Sequence, residues 1–389
     1  MRGLSNCIFL YFLLIAFDQS AIAQRLPSPE VLTVDDGLCF RNVNNITQDH
    51  NGLLWFGTKE CLSRFDGYRF LNFEDDSTSD HYFPYNGNLK NNLLFRNDST
   101  LWTIVGDQLY MLNSNSFKAK PVLGIEGRLN KLLRGINEDV WLVSSNEDSH
   151  LLWHYTDNNG FKKIAKSAHY RFELTDLEID KLGHVWWSTM LEGVKEFDSD
   201  GELLREIKLD SFIWGGDNLY HSDMLIDSKN RFFYYSRRYS ENKSIWQYSP
   251  QSGEKKLLID GFRTNDFEAF EDSEGNLWFA KEEGILQIHS NGQLTDHTTV
   301  MRQVLDFSNV NTIYEDASNV LWIGTDGGVI KLPIYKKIFD NYFSKKGFGW
   351  GNAIRGIGED HHKNLFFFCE TGDRGLYHFD ATLNQFENI

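Results

Sequence analysis

Apolar and polar residues alternate along most of this chain in short runs separated by clusters of Gly, Asn, Asp and Ser. Leu62-Ser63-Arg64-Phe65, Val194-Lys195-Glu196-Phe197, Ile285-Leu286-Gln287-Ile288 and Val329-Ile330-Lys331-Leu332 each keep a period of two. That period places one set of side chains in a packed layer and turns the other outward, so each run predicts a β-strand. Between the runs, turns such as Asp272-Ser273-Glu274-Gly275 predict tight reversals, with Gly52 and Gly275 supplying positive φ and the Asp bonding its own backbone. After residue 23 no stretch carries a convincing helical period.

The runs repeat. Glu271–Ala280 reads as a strand end, a polar turn and a new strand led by a large aromatic, and close copies stand at Gln48–Thr58 and Glu315–Thr325. Aligned on that aromatic, the anchors are Trp55, Trp102, Trp141, Trp186, Phe233, Trp278, Trp322 and Phe366, spaced by 47, 39, 45, 47, 45, 44 and 44 residues. Four strands of about five residues with their turns fill such a period, which predicts a β-propeller of four-stranded antiparallel blades. The bulky anchors are read as core between blades rather than ligand contacts.

Glu30-Val31-Leu32-Thr33 precedes the first repeat and resembles a lone outer strand. The reading is a seven-bladed ring over residues 24–335, with Val31–Thr33 completing the seventh blade. Residues 336–389 then hold the first blade of an incomplete second propeller, and an eight-bladed ring is the alternative. A lone blade leaves its faces uncovered, which suggests an N-terminal fragment of a longer product.

Composition refines the picture at three points. A net charge of -16 without any Lys/Arg-rich run argues against nucleic acid and anionic membranes as partners. At the N-terminus, Arg2, the apolar run Cys7–Phe17 and the small-residue site Ala21-Ile22-Ala23 form a signal peptide over 1–23, so the mature chain is expected outside the cytoplasm. Of the four cysteines, Cys39, Cys61 and Cys369 follow that site; scattered and odd in number, they form no disulfide framework, though a Cys39–Cys61 bridge stays open.

The string Asp49 through Thr58, followed by Cys61-Leu62-Ser63-Arg64-Phe65-Asp66-Gly67-Tyr68-Arg69-Phe70, resembles the repeat of the two-component regulator propeller family. The sixth, seventh and eighth repeats fit that pattern well; the second, third and fifth are degenerate. The resemblance implies the periplasmic sensor region of hybrid two-component histidine kinases of Bacteroidetes-type bacteria. In that family two propellers precede an Ig-like domain, a membrane helix and kinase modules. It implies as partners an oligosaccharide or glycan fragment and downstream kinase modules, with a homodimer also allowed, and no cofactor. This chain carries no kinase module and no membrane helix after its leader, so any kinase activity lies elsewhere.

No catalytic motif stands out. His361-His362 and Asp198–Glu202 are read as turns rather than metal sites, and a secreted glycosidase or polysaccharide lyase would need a carboxylate or His/Tyr/Arg cluster that the sequence does not assemble. A protein-interaction propeller or a gene remnant is the other competing reading. For binding, the position eleven residues before the anchor is small and polar in six repeats: Asn44, Asn91, Asn130, Asn311, Thr175 and Ser222. Such a ring could bond sugar hydroxyls, while strand-start capping in a hydrated channel accounts for it more simply. Trp214, Tyr220, Tyr82, Tyr85, Arg171 and Arg263 fall in loops that could flank a sugar, as do the longer loops Asn146–His150 and Arg237–Lys243.

Overall fold

In the computed structural model the chain is all-β. The described residues are 29–73, 81–84, 93–168, 175–189, 192–207, 224–236, 244–264, 267–333, 354–361, 364–370, 375–380 and 385–389. The leader at 1–23 lies outside them, as do Tyr85, Asn91, Arg171, Trp214, Tyr220, Ser222, His362 and the loop Arg237–Lys243.

Among the described residues, eight four-stranded antiparallel sheets follow one another. Sheet one holds Val43–Gln48, Leu54–Thr58, Leu62–Phe65 and Phe70–Phe73. Sheets two to six open on Leu93–Asn97, Arg128–Arg134, Thr175–Ile179, Met224–Ile226 and Ala269–Glu271, each meandering outward from its first strand. Sheet seven takes Val310–Glu315, Val320–Thr325 and Val329–Pro333, and its fourth strand is Glu30–Leu32 from the other end of the chain. There Val31 pairs with Ile330 and Leu32 with Val329, and Lys331 reaches Glu30 at 2.7 Å. Sheet eight, Ile354–Glu359 to Gln385–Asn388, belongs to a separate compact unit, Tyr335–Ile389; sheets one to seven belong to Met1–Ile334.

Within the larger unit the first strands of successive sheets neighbour one another, and that of sheet seven neighbours that of sheet one. The first strands are therefore innermost, as in a propeller. Buried clusters fill the gaps between sheets. Trp55 packs with Phe73, Phe95 and Leu101; Trp278 with Phe307, Ile313 and Leu321; Trp322 with Val43, Phe56 and Phe65. In each case the anchor of one sheet meets the strands of the next, and Trp322 does so across the chain's two ends. Each such ring removes ~150–250 Å² from water, which makes these wedges the main apolar stabilisation of the unit.

The polar turn has a second task besides reversing the chain. The carboxylate of Asp49, Asp180, Asp272 and Asp316 accepts backbone N–H groups of its turn on one oxygen and the indole N–H of the anchor on the other, at 3.1, 3.0, 2.8 and 2.7 Å. The residues flanking it tie neighbouring sheets together. Ser228 donates to Glu271, Ser273 to Glu315 and the Ala317 N–H to Gln48, the last at 2.8 Å across the seam. Helical structure is slight but present: a one-turn helix, Thr298–Arg302, follows the outer strand of sheet six and buries Met301 against Trp278. Its five residues are too few to show a helical period.

Cys39 and Cys61 form a disulfide. Cys39 lies on the segment joining Glu30–Leu32 to the first strand of sheet one, and that segment is held further by Cys39 N–H to Ser63 Oγ (3.2 Å) and Asn72 Nδ2 to the Gly37 carbonyl (3.0 Å). Cys369, in the second unit, is buried and outside any disulfide.

Candidate functional site

Several polar positions proposed from the sequence fall at the starts of the innermost strands. Asn44, Asn130 and Asn311 each occupy a β-bulge, between Val43 and Asn45, Leu129 and Lys131, and Val310 and Thr312. A bulge leaves one residue out of the ladder and re-aims its side chain, which suits a short polar residue there. Asn311 Nδ2 donates across the seam to Asn42 Oδ1 and the Val43 carbonyl, both at 3.0 Å. Asn130 donates to Ser145 Oγ, which contacts His150 Nδ1 at 2.6 Å. Thr175 lies between the Ser188 carbonyl, to which it donates at 2.9 Å, and the Trp187 indole, from which it accepts at 2.8 Å. Asn44 is half-buried, and Arg263 and Tyr82 are exposed.

One residue deeper along the strand, the structure assembles a group that sequence reasoning missed. Lys131 of sheet three contacts Asp176 and, at 3.0 Å, Glu178, both on the first strand of sheet four. Asp176 is buried and also accepts the Met224 N–H of sheet five at 2.8 Å. Three successive inner strands thus meet at one carboxylate. Burial alone would lower the proton affinity of Lys131, but the two carboxylates outweigh it and hold the ammonium charged well above its usual range. Burial raises the Glu178 carboxyl, with Asp176 adding to the rise and Lys131 opposing it. The signal available in the sequence was the Asp-x-Glu alternation of Asp176 and Glu178; Lys131 lies 45 residues from Asp176, and only the ring brings them together.

Deeper still is the level opposite the anchors. There Thr47 faces Trp55, Leu94 faces Trp102, Leu133 faces Trp141, Leu225 faces Phe233, Phe270 faces Trp278 and Tyr314 faces Trp322. The member from sheet four is Glu178, opposite Trp186, and it is the single charged residue of the level.

A further cluster, Asp180, His184 and Glu196, brings three metal-ligating groups within 4.8 Å of one another. Each is already engaged: Asp180 with the Trp186 indole, His184 with Glu196 at 2.8 Å, and Glu196 with Arg205, whose guanidinium lies over Trp186. A cation already neutralises the carboxylate, so the cluster reads as support for the anchor. Asp198 accepts the N–H groups of Asp200 and Glu202 and caps a hairpin turn.

Fold and site together define the class: a β-propeller of Trp-anchored blades whose inner strands carry a compact polar group. The model of the two-component regulator propeller matches residues 37–60 and 305–327, the stretches holding the first two strands of sheets one and seven. Each of these two stretches carries the repeat of that family. No curated protein matches it in sequence. Among solved structures it is similar to the extracellular domain of the hybrid two-component system BT4673 from B. thetaiotaomicron, at 18% identity and a TM-score of 0.59 over 93% of this chain and 47% of that one. The chain thus spans about half the length of that relative. It is also similar to virginiamycin B lyase from Staphylococcus aureus (14% identity, TM-score 0.56, 79% of this chain and 99% of that one) and to the WD40 propeller domain of Doa1 (10%, 0.53, 80% and 97%). At these identities the likeness is one of fold. Among the described residues no helix is long and apolar enough to cross a membrane.

Proposed function

We propose that this chain is an extracytoplasmic ligand-binding module of a two-component signalling system, that its ligand is an oligosaccharide or glycan fragment, and that the signal passes to a histidine kinase encoded beyond this chain. The observation that carries the reading is the regulator-propeller repeat at both ends of the larger unit. Likeness in fold to an extracellular domain of a hybrid two-component system supports it, as does the Cys39–Cys61 bridge, since disulfides persist in oxidising compartments. The leader-like pattern of residues 1–23 points the same way. In this reading sheets one to seven close a seven-bladed ring, and sheet eight opens a second one. Binding rather than turnover is the role favoured by the inner strands, because Lys131 and Asp176 are committed to an ion pair instead of standing ready for proton transfer.

A thermal-shift screen of the purified chain against an oligosaccharide panel tests the proposal. A true ligand at a hundred times its Kd stabilises the folded state by about 2.7 kcal/mol, which moves the melting transition by a few degrees. A well-folded chain whose transition no glycan moves would overturn it.

A further inference from the structure

Glu178 stands out within the level opposite the anchors. The other six members are Thr, Leu, Phe or Tyr, and Glu178 keeps about a quarter of its side chain exposed. One carboxylate oxygen meets Lys131; among the described residues no protein donor reaches the other. Holding a carboxylate beside apolar neighbours is costly unless something pairs with it. Lys131 offsets only part of that cost, because it is shared with Asp176, and the trio carries a net charge of -1.

We infer that Glu178 anchors a ligand at the axis of the larger unit, and that the ligand is a neutral or amine-bearing sugar rather than a sulfated or uronate-bearing one. This deepens the glycan-sensing reading and rests on it. The spare oxygen accepts from a hydroxyl or an ammonium group, and a carboxylate is the stronger acceptor for either. Phe270 and Tyr314, half-buried at the same level, pack against the cores beside Trp278 and Trp322, so recognition falls to the carboxylate. An anionic sugar would meet the unbalanced charge of Asp176 and Glu178 where little water screens it, so it is rejected.

The test uses the whole chain and three sets of tetrasaccharides matched in length: neutral hexose, glucosamine and galacturonate. Calorimetry should show that the wild type binds a member of the first two sets at least tenfold more tightly than the galacturonates. Glu178→Gln should weaken that binding about tenfold or more, whereas Glu254→Gln, on an exposed outer strand, should leave it unchanged. Galacturonates bound as tightly as neutral sugars, or neutral binding indifferent to Glu178→Gln, would overturn the inference while leaving the sensor reading intact. Binding of no tetrasaccharide by folded wild type would overturn the inference, and silence across the wider oligosaccharide panel would overturn the sensor reading as well. If the Gln variant does not fold, the charge discrimination of the wild type alone decides.

Discussion

The Oδ2 atom of Asp272 accepts the indole N–H of Trp278 at 2.8 Å, while its Oδ1 atom accepts the N–H groups of Glu274 and Asn276. One carboxylate thereby fixes both the turn and the wedge of its blade, which explains why Asp and Trp recur six residues apart. Sheet two shows the contrast. It has no Asp at that spacing, and the buried Trp102 indole N–H finds no acceptor among the described residues.

Trp278→Phe should therefore destabilise the larger unit more than Trp102→Phe. Both substitutions lose ring area, but only the first removes one of the two donors to a buried carboxylate oxygen, which then keeps the Asn276 amide alone, at an added cost of about 1–3 kcal/mol. Urea unfolding of the two variants measures the difference. Equal costs would mean that the Asp–Trp bond adds nothing beyond packing.

Much of this architecture was legible in the sequence. The anchors, the turns and the alternating third strands are local patterns, and a repeated local pattern reports a blade directly. Arg64 of the repeat string was legible only as a letter; in the structure its guanidinium lies over Trp55, 5.6 Å from the ring centre, and caps the wedge. The candidate site was far less legible. Lys131, Asp176 and Met224 belong to three blades, and their meeting depends on how the ring closes rather than on any spacing along the chain. The bulges that hold Asn44, Asn130 and Asn311 likewise require the paired strand to be seen.

The Cys39–Cys61 bridge ties the segment linking the outer strand of sheet seven to sheet one, with a sequence separation of 22. Cys39→Ser with Cys61→Ser should cost about 3 kcal/mol through the entropy of the unfolded chain. Chemical denaturation of the double variant against oxidised wild type reads the loss. A midpoint unchanged by the substitution would show that the segment is held by its hydrogen bonds alone.

Gly328 has a φ of 145°, and a Cβ added there would lie 2.7 Å from the Leu32 carbonyl oxygen. Gly328→Ala should push Glu30–Leu32 off the edge of sheet seven and cost about 1–3 kcal/mol. Hydrogen exchange should quicken at Val31 and Leu32 before any other strand. Unaltered protection there would argue that this terminal strand tolerates the intrusion.

His297 is buried against Trp278 and Gln287, and burial lowers its folded-state pKa from 6.5 to about 4. The unfolded chain then binds a proton below pH 6.5 that the folded chain refuses. Stability on this account is full above pH 6.5 and falls by up to about 3 kcal/mol as the pH drops to 4. His297→Gln should flatten that part of the stability profile, measured as urea midpoints between pH 4 and 7. A profile that stays as steep would place the acid sensitivity elsewhere.

The central claim is that this propeller binds a glycan. Isothermal titration of an oligosaccharide panel into the purified chain tests it most directly. The account predicts saturable one-site heat with at least one neutral or amine-bearing oligosaccharide, whereas a folded chain that gives no heat with any member of the panel would contradict it.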